Sequence, residues 1–305
     1  MKVSLVIMAA GLGSRYGGNK QVDGIGPHNE ILMEYSIYDA IRAGFNKIVF
    51  IIKPEMAKLM DYLCGNYLRE MTAKDGSPLE VAYAFQDFSS VPDFYAIPGE
   101  RTKPFGTVHA LLCAKDVVDG PCCVINADDY YGVDAYQTMY EELMKLPENG
   151  QAAMVGYLLK NTASLYGTVS RGVCKVDGNW LQSVKETKEI QMYSDGSLRD
   201  LVEDKPLEPD SVVSMNYWGF MPSVFSVLEE YFEYFLRNVA GDNVNSECLL
   251  PIMVDDLMKA GKLKVSVLKS TDKWFGMTYR EDRPVVADQL MRLHDAGVYP
   301  ESLRG

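Results

Sequence analysis

Short apolar runs alternate with helical periodicity through the first half of the chain. Val3–Met8, Lys47–Ile52, Leu79–Phe85 and Cys122–Ile125 have the length and character of buried strands. Between them, Ile31–Ala43 and Glu55–Tyr67 carry apolar residues at helical spacing, and Gly44 closes the first of these helices. Val133–Leu146 reads as a further helix and Ala152–Leu158 as a strand. Past about residue 150 the pattern changes. Thr168–Val176 and Trp180–Lys188 flank Asp177-Gly178-Asn179, a hairpin signal. Gln191–Asp210 is polar, acidic and proline-containing, and reads as a loop or a partly ordered insertion. Val212–Phe220 follows as a strand, Ser223–Leu236 and Glu247–Ala260 as helices, Lys264–Leu268 as a last strand, and Arg283-Pro284 opens a final helix. The whole predicts one α/β domain over 1–305 built on a Rossmann-like, doubly wound mixed sheet. Residues 1–150 form its first half, 151–280 a β-rich second half, and 281–305 a C-terminal helix and tail.

Composition narrows the chemistry. A formal net charge of −12 over 305 residues weighs against a nucleic-acid binder, whose affinity comes from Lys and Arg. The N-terminus lacks the basic-then-apolar character of a signal peptide, and no apolar run approaches the roughly 20 residues of a membrane span. Six scattered cysteines, with no Cys-x-x-Cys pair, read as buried thiols of a reducing cytoplasm. The adjacent Cys122 and Cys123 are expected on opposite faces of their strand. His28, His109 and His294 are too dispersed for a zinc site.

In doubly wound sheets ligands bind beyond the carboxyl ends of the strands. Three polar segments follow apolar strands here: Gly11–Gln21, Gln86 and Asp128. They are expected to gather on one rim. The first reads Gly-Leu-Gly-Ser-Arg-Tyr-Gly-Gly-Asn-Lys-Gln, with four glycines, two cations and no acid. Such a loop can turn backbone N–H groups toward an anion while Arg15 and Lys20 add charge. It is not a dinucleotide fingerprint, because Tyr16 stands where a third glycine is required, nor a P-loop, because Gly18-Asn19-Lys20-Gln21 lacks Gly-Lys-Ser/Thr. Asp128 and Asp129 at a core strand end call for a cation or donors. Ser89–Lys103, irregular and proline-containing, reads as a flap over this rim.

Ala9-Ala10-Gly11-Leu12-Gly13-Ser14-Arg15, with Lys20-Gln21 following, resembles the opening signature of the sugar-1-phosphate nucleotidylyltransferases. Gly106-Thr107-Val108-His109-Ala110 resembles that family's Gly-x-x-x-Ala helix start, Ala127-Asp128 its Gly-Asp, and Tyr166-Gly167 its Tyr-Gly pair. The resemblance implies transfer from a nucleoside triphosphate, UTP or dTTP, to a sugar-1-phosphate. It assigns Arg15 and Lys20 to catalysis, and Ala10, Gly11, Gly13, Ser14, Gln86, Gly106 and His109 to the nucleotide. It assigns Gly167, Glu186 and Asn216 to the sugar, and Asp128 to Mg2+, with Asp129 as the fallback. The lysine for the sugar phosphate is Lys188 or Lys185, because Glu186-Thr187-Lys188 stands where the family has Glu-Lys-Pro. One departure is serious: Trp274-Phe275-Gly276 puts glycine where the family has its second metal-binding Asp. Asp272 and Asp282 are the nearby substitutes. The family's members often self-associate. Two other readings stay open. A choline-phosphate cytidylyltransferase would cage its quaternary ammonium with Tyr130, Tyr131, Tyr217 and Trp218. A nucleotide-sugar-binding homologue without catalysis would explain Gly276.

Overall fold

The computed structural model describes residues 1–11, 24–270, 272–277 and 279–304. In chain order the strands are β1 (Ser4–Met8), β2 (Lys47–Ile52), β3 (Glu80–Phe85), β4 (Cys122–Asn126), β5 (Asp129–Tyr130), β6 (Gln151–Leu158) and β7 (Val169–Asp177). They continue as β8 (Trp180–Met192), β9 (Leu198–Asp200), β10 (Lys205–Leu207), β11 (Val212–Phe220), β12 (Lys264–Lys269) and β13 (Phe275–Gly276). Among the described residues, one 11-stranded sheet runs β10-β9-β8-β12-β6-β11-β4-β1-β2-β3, with β7 joining β11 and β8 beside that path. Its β3-β2-β1-β4 portion is parallel and in unbroken register. Beyond β4 the sheet is mixed, because β11 runs antiparallel to both β4 and β6.

Alternation along the central strands sends side chains into two cores. Leu5, Ile7 and Cys123 pack on the face covered by the helices Leu32–Ala43 and Val133–Leu143. Val6 and Cys122 pack on the other face, under Thr107–Leu112, Val224–Phe235 and Leu250–Lys259. The two adjacent cysteines thus point oppositely, as expected. Full burial of each large apolar side chain contributes about 1.5–3 kcal/mol. The C-terminal helix Arg283–Asp295 and the tail beyond it form a third cluster with Ile25, Tyr35, Tyr130 and Tyr299. Among the described residues no helix is long and apolar enough to cross a membrane.

Two elements differ from the sequence-based expectation. The helix predicted over 55–67 contains a π-helical stretch, Asp61–Gly65. Tyr83 Oη on β3 donates to Asp61 Oδ1 at 2.7 Å, and a Cβ on Gly65 would lie 2.2 Å from that hydroxyl. The widened turn accommodates this contact. The segment 191–210 is not a loop. It holds the end of β8 and the strands β9 and β10, paired Met192↔Leu198 and Lys205↔Asp200. Its polarity is that of a charged sheet edge, with Glu203 between Lys185 and Lys205.

Candidate active site

The four parallel strands end in register, Met8 opposite Ile51 and Asn126, and Ile52 opposite Phe85. The residues that follow them line one cavity of about 600 Å³: Gly11 after β1, Lys53 after β2, Gln86 after β3 and Asp128 after β4. Ala10 and Gly106 line it too. The expected gathering on one rim is therefore present for Gly11, Gln86 and Asp128. Gly13, Ser14, Arg15 and Lys20 lie outside the described residues.

Gln86 is nearly buried, and its Nε2 donates to the Gly106 carbonyl at 3.2 Å. Gly106 needs to be glycine. Its φ is +92°, and a Cβ would lie 2.6 Å from the Cys248 carbonyl oxygen. That approach belongs to a seam in which Cys248 N donates to Phe105 O at 2.7 Å and Val108 N to Cys248 O at 3.0 Å. The seam explains why the helix expected from Glu247 begins only at Leu250. It also corrects the expectation of a flap at 89–103. Arg101 is 4% exposed and donates to the carbonyls of Pro104, Asn243 and Ser246. Its guanidinium lies 3.6 Å from the centre of the Phe105 ring, and Tyr95 Oη donates to Gly241 O at 2.7 Å. The segment is thereby tied to 241–248, and Thr102, Lys103 and Glu247 from the two segments line the cavity. Lys103 and Glu247 close that wall with an ion pair of 2.8 Å.

His109 does not line the cavity. It is fully buried, stacked on Phe232 at 5.0 Å, with Nε2 2.9 Å from Ser90 Oγ. Burial pushes its pKa down to about 4, so the ring is neutral at ordinary pH. Tyr130, Tyr131, Tyr217 and Trp218, the candidates for an aromatic cage, are likewise core residues. None lines the cavity, which leaves a quaternary ammonium without that cage.

Asp128 faces the cavity, whereas Asp129 lies behind it, 8% exposed. Asp129 Oδ2 accepts from Asn126 Nδ2 at 2.8 Å and from Tyr131 Oη at 3.1 Å. Its backbone pairs with Gly276 across the β5–β13 ladder. A Cβ on Gly276 would lie 2.6 Å from Asp129 Oδ1. The glycine thus backs onto a carboxylate already in place. The two proposed substitutes are otherwise engaged. Asp272 Oδ2 accepts from the Asp134 backbone at 2.5 Å, at the start of the helix Val133–Leu143. Asp282 accepts from Tyr279 N at 2.7 Å and from Ser164 Oγ at 3.2 Å.

The second half brings its predicted residues together less closely. Gly167, Glu186, Lys188 and Asn216 are not in the wall of the 600 Å³ cavity. Tyr279 covers Gly167, where a Cβ would lie 2.5 Å from the ring. Burial raises the Glu186 pKa, while the cations Arg171 and Lys188 oppose the shift. Lys185 pairs instead with Glu203 at the sheet edge. Asn216 sits in an irregular stretch of β11 at φ +59°, and its buried Oδ1 has no hydrogen-bond partner among the described residues. A second cavity, of about 410 Å³, opens beside Tyr166, Trp274 and Gly276. Arg171 lies 5.2 Å over the Trp274 ring. Sequence reasoning missed Lys53, Arg101, Lys103 and Glu247. The rule that singled out Gln86, a polar residue directly after an apolar strand, applies equally to Lys53.

The nucleotidyl transferase family model matches residues 5–274, and the chain belongs to that family. No curated protein matches the sequence. The fold is similar to that of a Bacillus anthracis protein assigned as a glucose-1-phosphate thymidylyltransferase and solved with sucrose. The TM-score is 0.61 at 16% identity, covering 99% of this chain and 98% of that one. It is also similar to the inositol-1-phosphate CTP transferase of T. maritima (TM-score 0.60, 12% identity, 97% and 98% covered). A UDP-glucose pyrophosphorylase complexed with UDP-glucose gives a TM-score of 0.60 at 17% identity, with 96% and 99% covered.

Proposed function

We propose that the chain joins UTP or dTTP to a sugar-1-phosphate, yielding a nucleoside diphosphate sugar and pyrophosphate, with Mg2+ as cofactor. The observation that carries this reading is the convergence of Gly11, Gln86, Gly106 and Asp128 on one cavity at the parallel strand ends. In the reaction an oxygen of the sugar-1-phosphate forms a bond to the α-phosphorus. The bond from that phosphorus to its bridging oxygen breaks, and the electron pair leaves with pyrophosphate. The attacking oxygen is already anionic at neutral pH, so no general base is required. A neutral, buried His109 is consistent with that. Gln86 and Gly106 would hold the nucleoside, and Gly11 and the loop after it the phosphates. Arg15 and Lys20 would offset charge on the α-phosphate and the departing group. Glu186 and Asn216 would accept hydrogen bonds from sugar hydroxyls, and Lys188 would face the sugar phosphate.

The donors suit magnesium, a hard cation commonly held by one or two carboxylates plus substrate phosphates. Asp128 would hold it, and the ion when bound would supply charge neutralisation between phosphate oxygens. The free cysteines accord with a reducing cytoplasm. The test is a panel of UTP, dTTP and CTP against sugar-1-phosphates and phosphocholine, scored by pyrophosphate release. Release with UTP or dTTP and a sugar-1-phosphate is expected. Release only with CTP and phosphocholine would transfer the protein to the choline class. Thermal stabilisation by nucleotide without any turnover would make it a binder.

A further inference from the structure

The family match ends at residue 274, and the C-terminal segment beyond it is tied to the stretch that follows the glycine-rich loop. Gly24 is the first described residue after that loop. Arg283, which opens the helix Arg283–Asp295, donates from Nη2 to the Gly24 carbonyl at 2.7 Å. The start of that helix is itself held, because Asp282 accepts from Tyr279 N at 2.7 Å and from Ser164 Oγ at 3.2 Å. Further along, Arg304 donates from Nε and Nη2 to the two carboxyl oxygens of Glu34, at 2.7 and 3.2 Å, and Glu34 is 1% exposed. Tyr299 Oη donates to Asp39 Oδ2 at 2.6 Å and lies 2.8 Å from Tyr130 Oη, two residues past Asp128. The segment thus reaches from the exit of the loop to the strand directly after Asp128.

Gly24 opens a close-packed turn. Ile25 N and Gly26 N both donate to the Glu30 carbonyl, at 2.7 and 3.0 Å. A Cβ on Gly24 would lie 2.1 Å from Asn29 O, and one on Gly26 2.2 Å from Tyr35 Oη. The chain is held before the loop as well, where Ala9 N donates to Ile51 O at 2.8 Å. A loop with both ends fixed has less conformational freedom to lose when it closes its N–H groups on a ligand. At the exit, one guanidinium from the far end of the chain supplies part of that fixing.

We propose that Arg283 is a positioning residue for the triphosphate: by holding the Gly24 carbonyl it sets where the glycine-rich loop returns to the fold. Arg283 acts through the loop and not on the substrate. The assignment rests on the reading of this cavity as a nucleotide site whose phosphates lie at that loop. It requires an effect that depends on the number of phosphates, which a purely structural arginine would not produce.

The experiment is calorimetric titration of wild-type protein, Arg283→Met and Arg292→Met with UMP and UTP, or with dTMP and dTTP if the wild type prefers that pair, in the presence of Mg2+. A thermal melt of each sample accompanies it. Methionine keeps an unbranched stem and removes the donor. Arg292 lies on the same helix, is exposed and pairs with Asp288, so its variant controls for lost charge. Arg283→Met is expected to weaken the triphosphate about tenfold and the monophosphate by less than about twofold, and Arg292→Met to change neither. Equal weakening of the two nucleotides, or unchanged binding of the triphosphate, would overturn the assignment. A matching loss in Arg292→Met would make the effect one of net charge and overturn it too. Hydrogen exchange of the wild-type protein decides the matter should Arg283→Met fail to fold. The triphosphate, and not the monophosphate, should slow exchange at Ile25 and Gly26 and in the helix Arg283–Asp295. No slowing there, or the same slowing by both, would overturn the assignment. If wild-type protein binds no nucleotide, the reading of the cavity fails and takes the assignment with it, and that outcome appears before any substitution is made.

Discussion

The parallel half and the mixed half of this sheet build their sites by different means. In β3-β2-β1-β4 the register is unbroken, and each strand hands the next residue to the same rim. Position in the sequence then determines position in the cavity. In the mixed half the ladders between β7 and β8 and between β11 and β6 shift register. Glu189 and Asn216 there take positive φ, and β13 reaches Asp129 from far along the chain. A site residue in that half depends on a bulge or a long-range contact as much as on its own strand. Regular parallel strands thus fix where a polar residue goes. Irregular antiparallel ones can re-aim it.

The sharpest way to break this contrast is at Asp128. If the rim is the reaction centre, Asp128→Ala should lower turnover by up to about a thousandfold, or ~4 kcal/mol of barrier, with the fold retained. Pyrophosphate release and a thermal melt on the same sample check it. Near-normal turnover would move the metal-binding role to another carboxylate.

Restoring the family's aspartate at position 276 tests the mixed half. A local reading treats Gly276 as a lost ligand that substitution would return. The packing says otherwise, because the new Cβ would meet Asp129 Oδ1 at 2.6 Å and bring a second carboxylate beside a nearly buried one. Gly276→Asp is expected to destabilise the protein by about 3 kcal/mol. Chemical denaturation measures the loss. An unchanged unfolding midpoint together with higher activity would show that the ladder yields.

His109 separates a structural role from a functional one within the regular half. Its folded pKa lies at about 4, below the ordinary 6.5. Between those values the unfolded chain binds the extra proton, so stability rises with pH and is lost on acidification through that window. The contribution lost amounts to about 2 kcal/mol by pH 5. His109→Gln should flatten this part of the stability curve, read by denaturation at several pH values. A slope that survives the substitution would place its cause elsewhere.

These contrasts also explain what could be read before the structure. The strand-end residues Gly11, Gln86 and Asp128 were legible because apolar runs mark strands and parallel strands share a rim. Lys53, the polar residue directly after β2, is legible by the same rule. Arg101 was not legible. Its partners are backbone carbonyls of Asn243 and Ser246, more than 140 positions away, and no side-chain pattern announces them. Gln191–Asp210 was misread because an exposed, charged sheet edge has the composition of a loop. The Asp129–Gly276 contact was hidden for a different reason. It depends on two short strands meeting across the fold, and the sequence shows only a glycine where an acid was expected.

The choice between Lys185 and Lys188 is the finest test of the mixed half. Lys185 is exposed and paired with Glu203 at the sheet edge. An exposed pair of this kind contributes little. Lys185→Ala should therefore leave both the melting temperature and the KM for sugar-1-phosphate unchanged within error. Lys188 is exposed too, yet its cation acts on the half-buried Glu186, whose carboxyl also feels the charges of Arg171 and Glu247. If that neighbourhood receives the acceptor, Lys188→Ala should raise its KM about tenfold while leaving the KM for nucleotide in place. Steady-state kinetics with each substrate varied in turn separates the two effects. Should Lys185→Ala raise the acceptor KM instead, the lysine would be acting from the outer edge, and the bulge before Ile190 would not be what aims the sugar-phosphate contact.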